Sequence, residues 1–456
     1  MSDQAPLIVS ISGIRGIVDR SLTSQLMRRF AGAFAASLDE RVPVVLARDT
    51  RPSGERFARD IADVLQAAGC EVLDLGLCST PGAKLMVTEF QAAGAIIITA
   101  SHNPTPWNGL KMIRSDGIFL NAEQGQRVVD LFEAEQTRTL AGGSLRRIDR
   151  AEVNRRHLRR ILDHVDVDLI RGASLSVAVD PCNGTGSLLL PELLDELGVR
   201  TTLINAEPNG LFAHEPEPIP VNLVELGEAV RASNSDVGFA IDPDADRITL
   251  VDEQGRPVGE DFTLALAVQA VTARRRGPVV TTLSSSQTIS DAARVNDCPV
   301  VLTPVGEVHV VEKMLEEGAV IGGEGNGGVV LTEIDPGRDA AVGAAVILEA
   351  MARSGKTTSQ LVDGLPAYAI EKRKVTASPA QLQHTVSLLQ QRYPQAFVHP
   401  VEDGSKLYLS GELECPWIHL RSSNTEPVVR IIAECESGEN AKTLCDEAER
   451  LLKKQE

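Results

Sequence analysis

Aromatic side chains are scarce in this chain: 2 Trp, 3 Tyr and 10 Phe make up 3% of 456 residues, although 43% are hydrophobic. Its cores must therefore be aliphatic, and a ligand is expected to be read by hydrogen bonds rather than by ring stacking. Basic residues are outnumbered, 45 Lys and Arg against 63 Asp and Glu, for a net charge of −18. That balance argues against nucleic acid or an anionic membrane surface as the main partner, since both need a basic face. It leaves room for an anionic small molecule held by arginines that cluster locally. No apolar run approaches the ~20 residues needed to span a bilayer. Residues 1–7 carry no basic stretch ahead of an apolar core, so a secretory leader is not expected. The seven cysteines (Cys70, Cys78, Cys182, Cys298, Cys415, Cys435, Cys445) include no C-x-x-C pair and are odd in number. Buried free thiols in a reducing compartment are the simple expectation, and with them a cytoplasmic location.

A single core is also excluded by length. Domains usually hold ~100–200 residues, so 456 residues predict three or four. The first third alternates strands and helices. An apolar strand at 42–47 precedes a helix at 53–68, whose Phe57, Ile61, Val64, Leu65 and Ala68 share a face. Gly69 stops it. A strand at 71–75, a helix at 81–90 and the apolar run 95–98 follow, a helix at 122–135 closes the unit, and Gly142-Gly143 loosens the chain. The pattern restarts with strands at 175–180, 199–204, 237–241 and 248–251 around a helix at 184–197. It restarts again with strands at 278–282, 299–302 and 319–321, and helices at 288–296, 307–317 and 339–353. Strands separated by helices imply parallel or mixed sheets. From about Tyr368 the pattern changes to strands at 370–375, 406–409, 417–420 and 428–433 with helices at 382–393 and 440–452, an α+β unit with a mostly antiparallel sheet. The predicted class is α/β: three related α/β domains (1–150, 151–255, 256–367) and a smaller α+β C-terminal domain (368–456).

Four polar loops, each after a strand, carry the chemistry. In open α/β sheets ligands gather beyond the carboxyl ends of strands. Ser101 stands in Thr99-Ala100-Ser101-His102-Asn103-Pro104, directly after Ala95-Ile96-Ile97-Ile98. It is a nucleophile candidate, with His102 and Lys111 as the nearby proton-handling groups; a serine there also serves commonly as a turn or helix cap. Asp242, Asp244 and Asp246, at i, i+2 and i+4, can turn inward on one divalent cation, and Arg247 follows to balance a phosphate. The spacing also begins like an EF-hand loop, with Glu253 at the twelfth position, but Arg247 replaces the glycine required at the sixth. Glu324 and Asn326, in Gly323-Glu324-Gly325-Asn326-Gly327-Gly328, can read vicinal hydroxyls, and the glycines let backbone approach a ligand; an ordinary glycine turn is the other possibility. Arg421, Ser422, Ser423, Asn424 and Thr425, with Arg430 on the next strand, combine a guanidinium with short donors suited to a phosphate dianion; a polar hairpin has the same composition. Arg15, in Ser12-Gly13-Ile14-Arg15-Gly16, is a further cation on a glycine-flanked loop.

These four loops, in this order, resemble the α-D-phosphohexomutase family over essentially the whole chain. The resemblance implies four domains around a central cleft. It implies a phosphoserine loop at Ser101, a magnesium loop at Asp242, Asp244 and Asp246 completed by Ser101, a sugar loop at Glu324 and Asn326, and a phosphate loop at Arg421–Thr425. Within the family, Ser10–Gly16 and Gly322–Gly328 resemble most the archaeal and Bacteroidetes type of phosphoglucosamine mutase. The activity so implied interconverts glucosamine 6-phosphate and glucosamine 1-phosphate, with mannose or glucose phosphates as the alternative. Ser101, His102, Lys111 and Arg15 are then the catalytic set. Mg2+ is the cofactor and a hexose 1,6-bisphosphate the activator or intermediate. The partner is a small hexose phosphate, with neither nucleic acid nor membrane, and the protein is a monomer or homodimer. Some mutases place a histidine after the Thr-Gly of domain three; here Gly306 is followed by Glu307, and His309 does not inherit that role.

Overall fold

The computed structural model describes residues 6–10, 13–38, 42–401, 404–422 and 428–453. The first sheet holds seven strands, β1 Leu7–Ser10, β2 Gly13–Ile17, β3 Pro43–Arg48, β4 Glu71–Leu77, β5 Gly94–Ile98, β6 Trp107–Arg114 and β7 Ser144–Arg147, in the order β1-β2-β6-β5-β3-β4-β7. Its helices are α1 Ser24–Ser37, α2 Gly54–Ala67, α3 Thr80–Glu89 and α4 Ala122–Glu133. Helix α2 shows why the pattern folds as it does: Phe57, Ile61 and Leu65 recur at helical spacing and are fully buried, while the opposite face is charged. Beyond Gly142-Gly143 the chain does not simply loosen. Ser144–Arg147 adds an exposed edge strand parallel to β4, which no apolar alternation announced. Helices α5 Arg150–Leu162 and α6 Val167–Ala173 follow, and α6 packs on the third unit.

The second unit holds β8 Ser176–Asp180, α7 Leu190–Glu196, β9 Arg200–Leu203, α8 Val224–Ser233, β10 Val237–Ile241 and β11 Ile248–Asp252. The third holds α9 Glu260–Arg274, β12 Val279–Thr282, α10 Gln287–Arg294, β13 Val300–Thr303, α11 Glu307–Glu317, β14 Ile321–Glu324, β15 Gly328–Val330, α12 Ala340–Ser354 and α13 Thr358–Val362. One kernel is common to all three sheets. Strand order β4-β3-β5-β6 in the first recurs as β9-β8-β10-β11 and β13-β12-β14-β15, three parallel strands with the last antiparallel. The turn into that antiparallel strand lies at a carboxyl end, and in every unit it is one of the polar or glycine-rich loops singled out in the sequence: 99–106, 242–247 and 325–327. Sheet topology therefore delivers the three loops in equivalent positions.

The fourth unit, β16 Ala369–Thr376, α14 Pro379–Arg392, β17 Phe397–Val401, β18 Gly404–Tyr408, β19 Trp417–Ser422, β20 Val428–Cys435 and α15 Gly438–Lys453, is an antiparallel sheet in the order β16-β20-β19-β18-β17. Apolar packing separates it from the rest. Continuous cores join the second unit to the third and the first to the third. The fourth has its own core, plus a small seam of Tyr408, Trp417 and Ile432 against Leu302. Among the described residues no helix is long and apolar enough to cross a membrane.

Candidate active site

Strand β5 is apolar and wholly buried, so Thr99-Ala100-Ser101 leaves the sheet from a fixed end. Ser101 has φ +48°, a left-handed conformation that costs a non-glycine residue roughly 1–3 kcal/mol unless its surroundings enforce it. Its Oγ is not spent on a helix cap. It donates to Asp242 Oδ2 at 2.9 Å, across 141 residues of sequence, and lies 3.3 Å from His102 Nδ1. Burial, together with Arg247 and Arg15, holds the His102 imidazole well below its ordinary pKa, so it is neutral near pH 7. Arg15 on β2 donates to Asn103 Oδ1 at 3.0 Å and so borders the same loop.

The aspartate loop joins antiparallel strands, not two helices, which removes the EF-hand alternative. Glu253, at the would-be twelfth position, instead accepts from the Ser359 amide and hydroxyl. Asp242 Oδ1 accepts the Asp246 and Arg247 amides, both at 3.0 Å, and this curls the loop so that the three carboxylates face one another. Asp244 Oδ2 accepts from Thr80 Oγ1 and from Lys111 Nζ, both at 2.5 Å. Asp246 Oδ2 accepts from Lys111 Nζ and Arg338 Nη2, both at 2.8 Å. Each aspartate can offer one oxygen to a set lying within 4.8 Å. Asp244 Oδ1 and Asp246 Oδ1 are buried with no hydrogen-bond partner among the described residues. Buried carboxylate oxygens without donors are costly, and three convergent hard oxygens fit a divalent cation such as magnesium. Burial and the two neighbouring carboxylates raise Asp242 well above the usual carboxylate range. Burial also presses on Asp246, but Arg338 and Lys111 hold it well below. Lys111 resists burial because Asp244 and Asp246 favour its charge, so its pKa is raised and it is an ammonium rather than a base.

In the glycine-rich loop Glu324 is engaged from both sides: Oε1 accepts the Gly306 amide at 3.1 Å and Oε2 accepts Arg338 Nη1 at 2.7 Å. Asn326 Nδ2 stands 3.5 Å from Glu324 Oε2, and its Oδ1 accepts the Gly328 amide at 3.2 Å. The glycines have a protein-side reason as well as the expected ligand-side one. Gly327 has φ +85°, and a Cβ there would lie 2.5 Å from the Ile248 carbonyl oxygen; a Cβ on Gly328 would lie 2.1 Å from Arg338 Cδ. The loop is pressed onto β11 and onto Arg338.

Arg421 and Arg430 are cross-strand neighbours on β19 and β20, on the sheet face that also carries His419, Trp417 and Glu434. Ser422 ends β19, opposite Val429. Ser423, Asn424 and Thr425 lie outside the described residues. Arg247 has its Nη1 3.8 Å from Glu217 Oε1 and its Nε 3.8 Å from Asp246 Oδ1. The structure thus brings Ser101, His102, Lys111, Arg15, the three aspartates and Arg247 into one cluster, and ties Glu324 to it through Arg338.

Sequence reasoning passed over Arg338, Glu307, Lys84, Thr80, Asp49 and Arg51. Arg338 Nε donates to Glu307 Oε2 at 2.9 Å, and Lys84 Nζ pairs with Glu307 Oε1. Only Asp49 and Arg51 carried a usable signal: Asp49-Thr50-Arg51-Pro52 leaves a buried strand end, as Ser101 does.

Comparison with known proteins agrees with this arrangement. Family models for phosphoglucomutase/phosphomannomutase match in series: alpha/beta/alpha domain I over 7–139, domain II over 155–255, domain III over 259–368 and the C-terminal domain over 371–451. A protein of Thermococcus kodakarensis named phosphoglucomutase/phosphomannomutase is 35% identical, covering 96% of this chain and 97% of its own. A probable phosphoglucosamine mutase of Methanopyrus kandleri is 34% identical over 96% and 95% of the two chains. The crystal structure of a phosphoglucomutase/phosphomannomutase family protein from Burkholderia thailandensis superimposes with a TM-score of 0.83 at 26% identity, covering 98% of each chain. The chain therefore belongs to the α-D-phosphohexomutase family, and it is an enzyme of the isomerase class that transfers phosphate intramolecularly.

Proposed function

We propose that the protein is a phosphoglucosamine mutase, interconverting glucosamine 6-phosphate and glucosamine 1-phosphate through a phosphoserine at Ser101 and a 1,6-bisphosphate. The observation that carries this reading is the 2.9 Å approach of Ser101 Oγ to Asp242 inside a buried aspartate triad. Asp242, Asp244 and Asp246, with the phosphate on Ser101, would hold Mg2+, which when bound neutralises charge on the phosphoryl group. Arg421–Thr425 and Arg430 grip the phosphate that stays in place, and Glu324 and Asn326 read sugar hydroxyls. Arg15 and Arg247 balance charge around the transferring group. Phosphoryl leaves Ser101 Oγ for O1 or O6 of the sugar; neutral His102, 3.3 Å from Ser101 Oγ, takes the proton of the attacking hydroxyl and passes it to the freed Ser101 oxygen. The bisphosphate reorients, and its other phosphoryl returns to Ser101. On that return His102 takes the Ser101 hydroxyl proton and passes it to the departing sugar oxygen, while Lys111 stays an ammonium whose positive charge stabilises that oxygen. A fourth unit with its own core and a small seam suits two substrate poses, because it can close over either and exclude water.

The amino sugar is favoured by the relatives named phosphoglucosamine mutase. The reading takes the four units as divided near residues 150, 255 and 367, and a cytoplasmic enzyme whose seven cysteines are all unpaired. The test has two parts. Intact-mass measurement should find one phosphoryl on the purified protein, absent in Ser101→Ala, which should lose turnover. Rates on glucosamine, glucose and mannose phosphates, with catalytic bisphosphate and magnesium, should rank glucosamine first. Full activity of Ser101→Ala would remove the proposal, release of free phosphate in step with substrate loss would make the protein a phosphatase, and a faster mannose or glucose reaction would move it to the phosphomannomutase/phosphoglucomutase alternative.

A further inference from the structure

The serine loop hangs on one guanidinium. Arg51 is 1% exposed, and each of its five N–H donors is in use. Nη2 donates to the carbonyls of Ser101 at 2.7 Å and Asn103 at 2.5 Å; Nη1 donates to those of Pro104 and Trp107, both at 2.8 Å; Nε meets Asp49 Oδ2 at 3.1 Å. Asp49 is itself fixed, accepting the Arg51 amide on Oδ1 at 2.9 Å and Thr99 Oγ1 on Oδ2 at 2.7 Å. Thr99 Oγ1 in turn accepts the Ser101 amide at 2.9 Å. Phe212, from the second unit, covers the guanidinium with its ring centroid 4.8 Å away, and Thr50 Oγ1 reaches the Asn183 carbonyl at 2.8 Å, so the second unit closes over the assembly.

We infer that Arg51, Asp49 and Thr99 are positioning residues that hold Ser101 in its left-handed conformation and so aim its Oγ at Asp242. The Ser101 amide is anchored on Thr99 and its carbonyl on Arg51, so the peptide groups on both sides of its Cα are fixed independently. Turn carbonyls usually face water; here four converge on one point, and only a planar fork of donors satisfies them together. Lysine offers three donors from a single atom and cannot reproduce that set. With all five donors committed to the protein, Arg51 has none for a ligand, and its effect should fall on the transfer step rather than on affinity. The inference rests on the phosphoryl-transfer reading for its kinetic consequence, and on geometry alone for the order of the loop.

The test uses the full-length protein with Arg51→Lys and the near-isosteric Thr99→Val. Starting from protein dephosphorylated at Ser101, phosphorylation of that serine by glucose 1,6-bisphosphate with Mg2+ is followed by mass in a single turnover. Binding of glucose 6-phosphate is measured by calorimetry, and amide exchange over residues 99–108 by mass spectrometry. Phosphorylation is expected to slow at least 30-fold in Arg51→Lys and about 5-fold in Thr99→Val. The dissociation constant should stay within about threefold, with faster exchange confined to that loop. Parent-like phosphorylation in both variants, or unchanged loop exchange, would overturn the inference, as would loss of affinity equal to the loss of rate. If the parent takes no phosphoryl from the bisphosphate, the proposed function fails, and loop exchange in the two variants alone still decides whether the positioning role stands.

Discussion

Arg338 Nη2 lies 2.8 Å from Asp246 Oδ2, so a guanidinium of the third unit is built into the aspartate loop of the second. The same side chain holds Glu324 with Nη1 and Glu307 with Nε, and the other oxygen of Glu307 is taken by Lys84 of the first unit. The result is a chain of alternating charge, buried throughout, that links three units where their loops meet. Its position explains how Glu324, in one sheet, and the aspartates, in another, keep a fixed relation. It also explains why Glu307 is tolerated after Gly306: both carboxylate oxygens have cationic partners.

Truncating Arg338 to Met should therefore unsettle more than one loop. Removing one partner of a buried ionic network costs ~3–5 kcal/mol because the remaining charges lose their counter-ion. Denaturant unfolding should show a loss of that order. Calorimetry should show tighter Mg2+ binding, since a positive charge beside Asp246 is gone. Unchanged stability together with unchanged metal affinity would contradict the linking role.

Metal removal should act through the two donorless oxygens, Asp244 Oδ1 and Asp246 Oδ1. Exhaustive chelation is expected to abolish phosphoryl transfer, and added Mg2+ to restore it. Asp244→Asn should lower the rate at least ~100-fold, in the range seen when one stabilising group is lost from a buried site. Activity that survives chelation would show that the triad serves another purpose.

His214 gives a pH signature away from the chemistry. Burial would lower its pKa, but the hydrogen bond to Asp180 Oδ2, at 3.0 Å, and the nearby Cys182 raise it to about 11. A group whose pKa rises on folding stabilises fully below its unfolded value, here about 6.5, and loses that contribution as pH climbs toward the folded one. The penalty of His214→Gln should thus be largest near pH 6 and shrink steadily toward pH 10.5. Unfolding free energies of both proteins across that range check the sign; a penalty that grows with pH would reverse the assignment.

The fourth unit docks through Glu434. One carboxylate oxygen accepts Ser286 Oγ at 2.5 Å; the other accepts the Gln287 amide at 2.9 Å and Trp417 Nε1 at 2.6 Å, at the N-terminus of α10. The Gln287 amide and Trp417 Nε1 can only donate, so Glu434→Met leaves both without an acceptor. Leaving a buried donor unmatched costs about 1–3 kcal/mol. Amide exchange should quicken at 283–288, and, on the proposed reading that Arg421 and Arg430 of this unit hold the substrate phosphate, KM for the sugar phosphate should rise more than kcat falls. Unaltered exchange at 283–288 would show that the seam is held elsewhere.

Much of this was legible along the chain because it is local. Alternation of apolar strands with helices of 3.6-residue period is a one-dimensional signal, and it marked the three repeats and the change of character near Tyr368. The loops Thr99–Pro104, Asp242–Arg247 and Gly323–Gly328 were legible because each follows a buried strand and is rich in polar residues or glycine. Several elements were not, among them the edge strand β7 and the interior strands β2 and β6. Ser144–Arg147 pairs as a strand only because β4 offers it an open edge, and β1 and β2 likewise depend on β6.

The sequence by itself determined most of the element types, the class of the fold, and which loops carry the serine, the carboxylates and the glycine-rich turn, since each depends on neighbours a few residues away. Only the tertiary structure decided which groups act together. Arg51 reaches carbonyls 50 to 56 residues on, Thr80 meets Asp244 at a separation of 164, and Lys84 meets Glu307 at 223. No periodicity or motif links positions so far apart. Their pairing exists because the same strand order, used three times, brings three turns together, and because buried charge there must be neutralised by whatever side chains the packing places within reach.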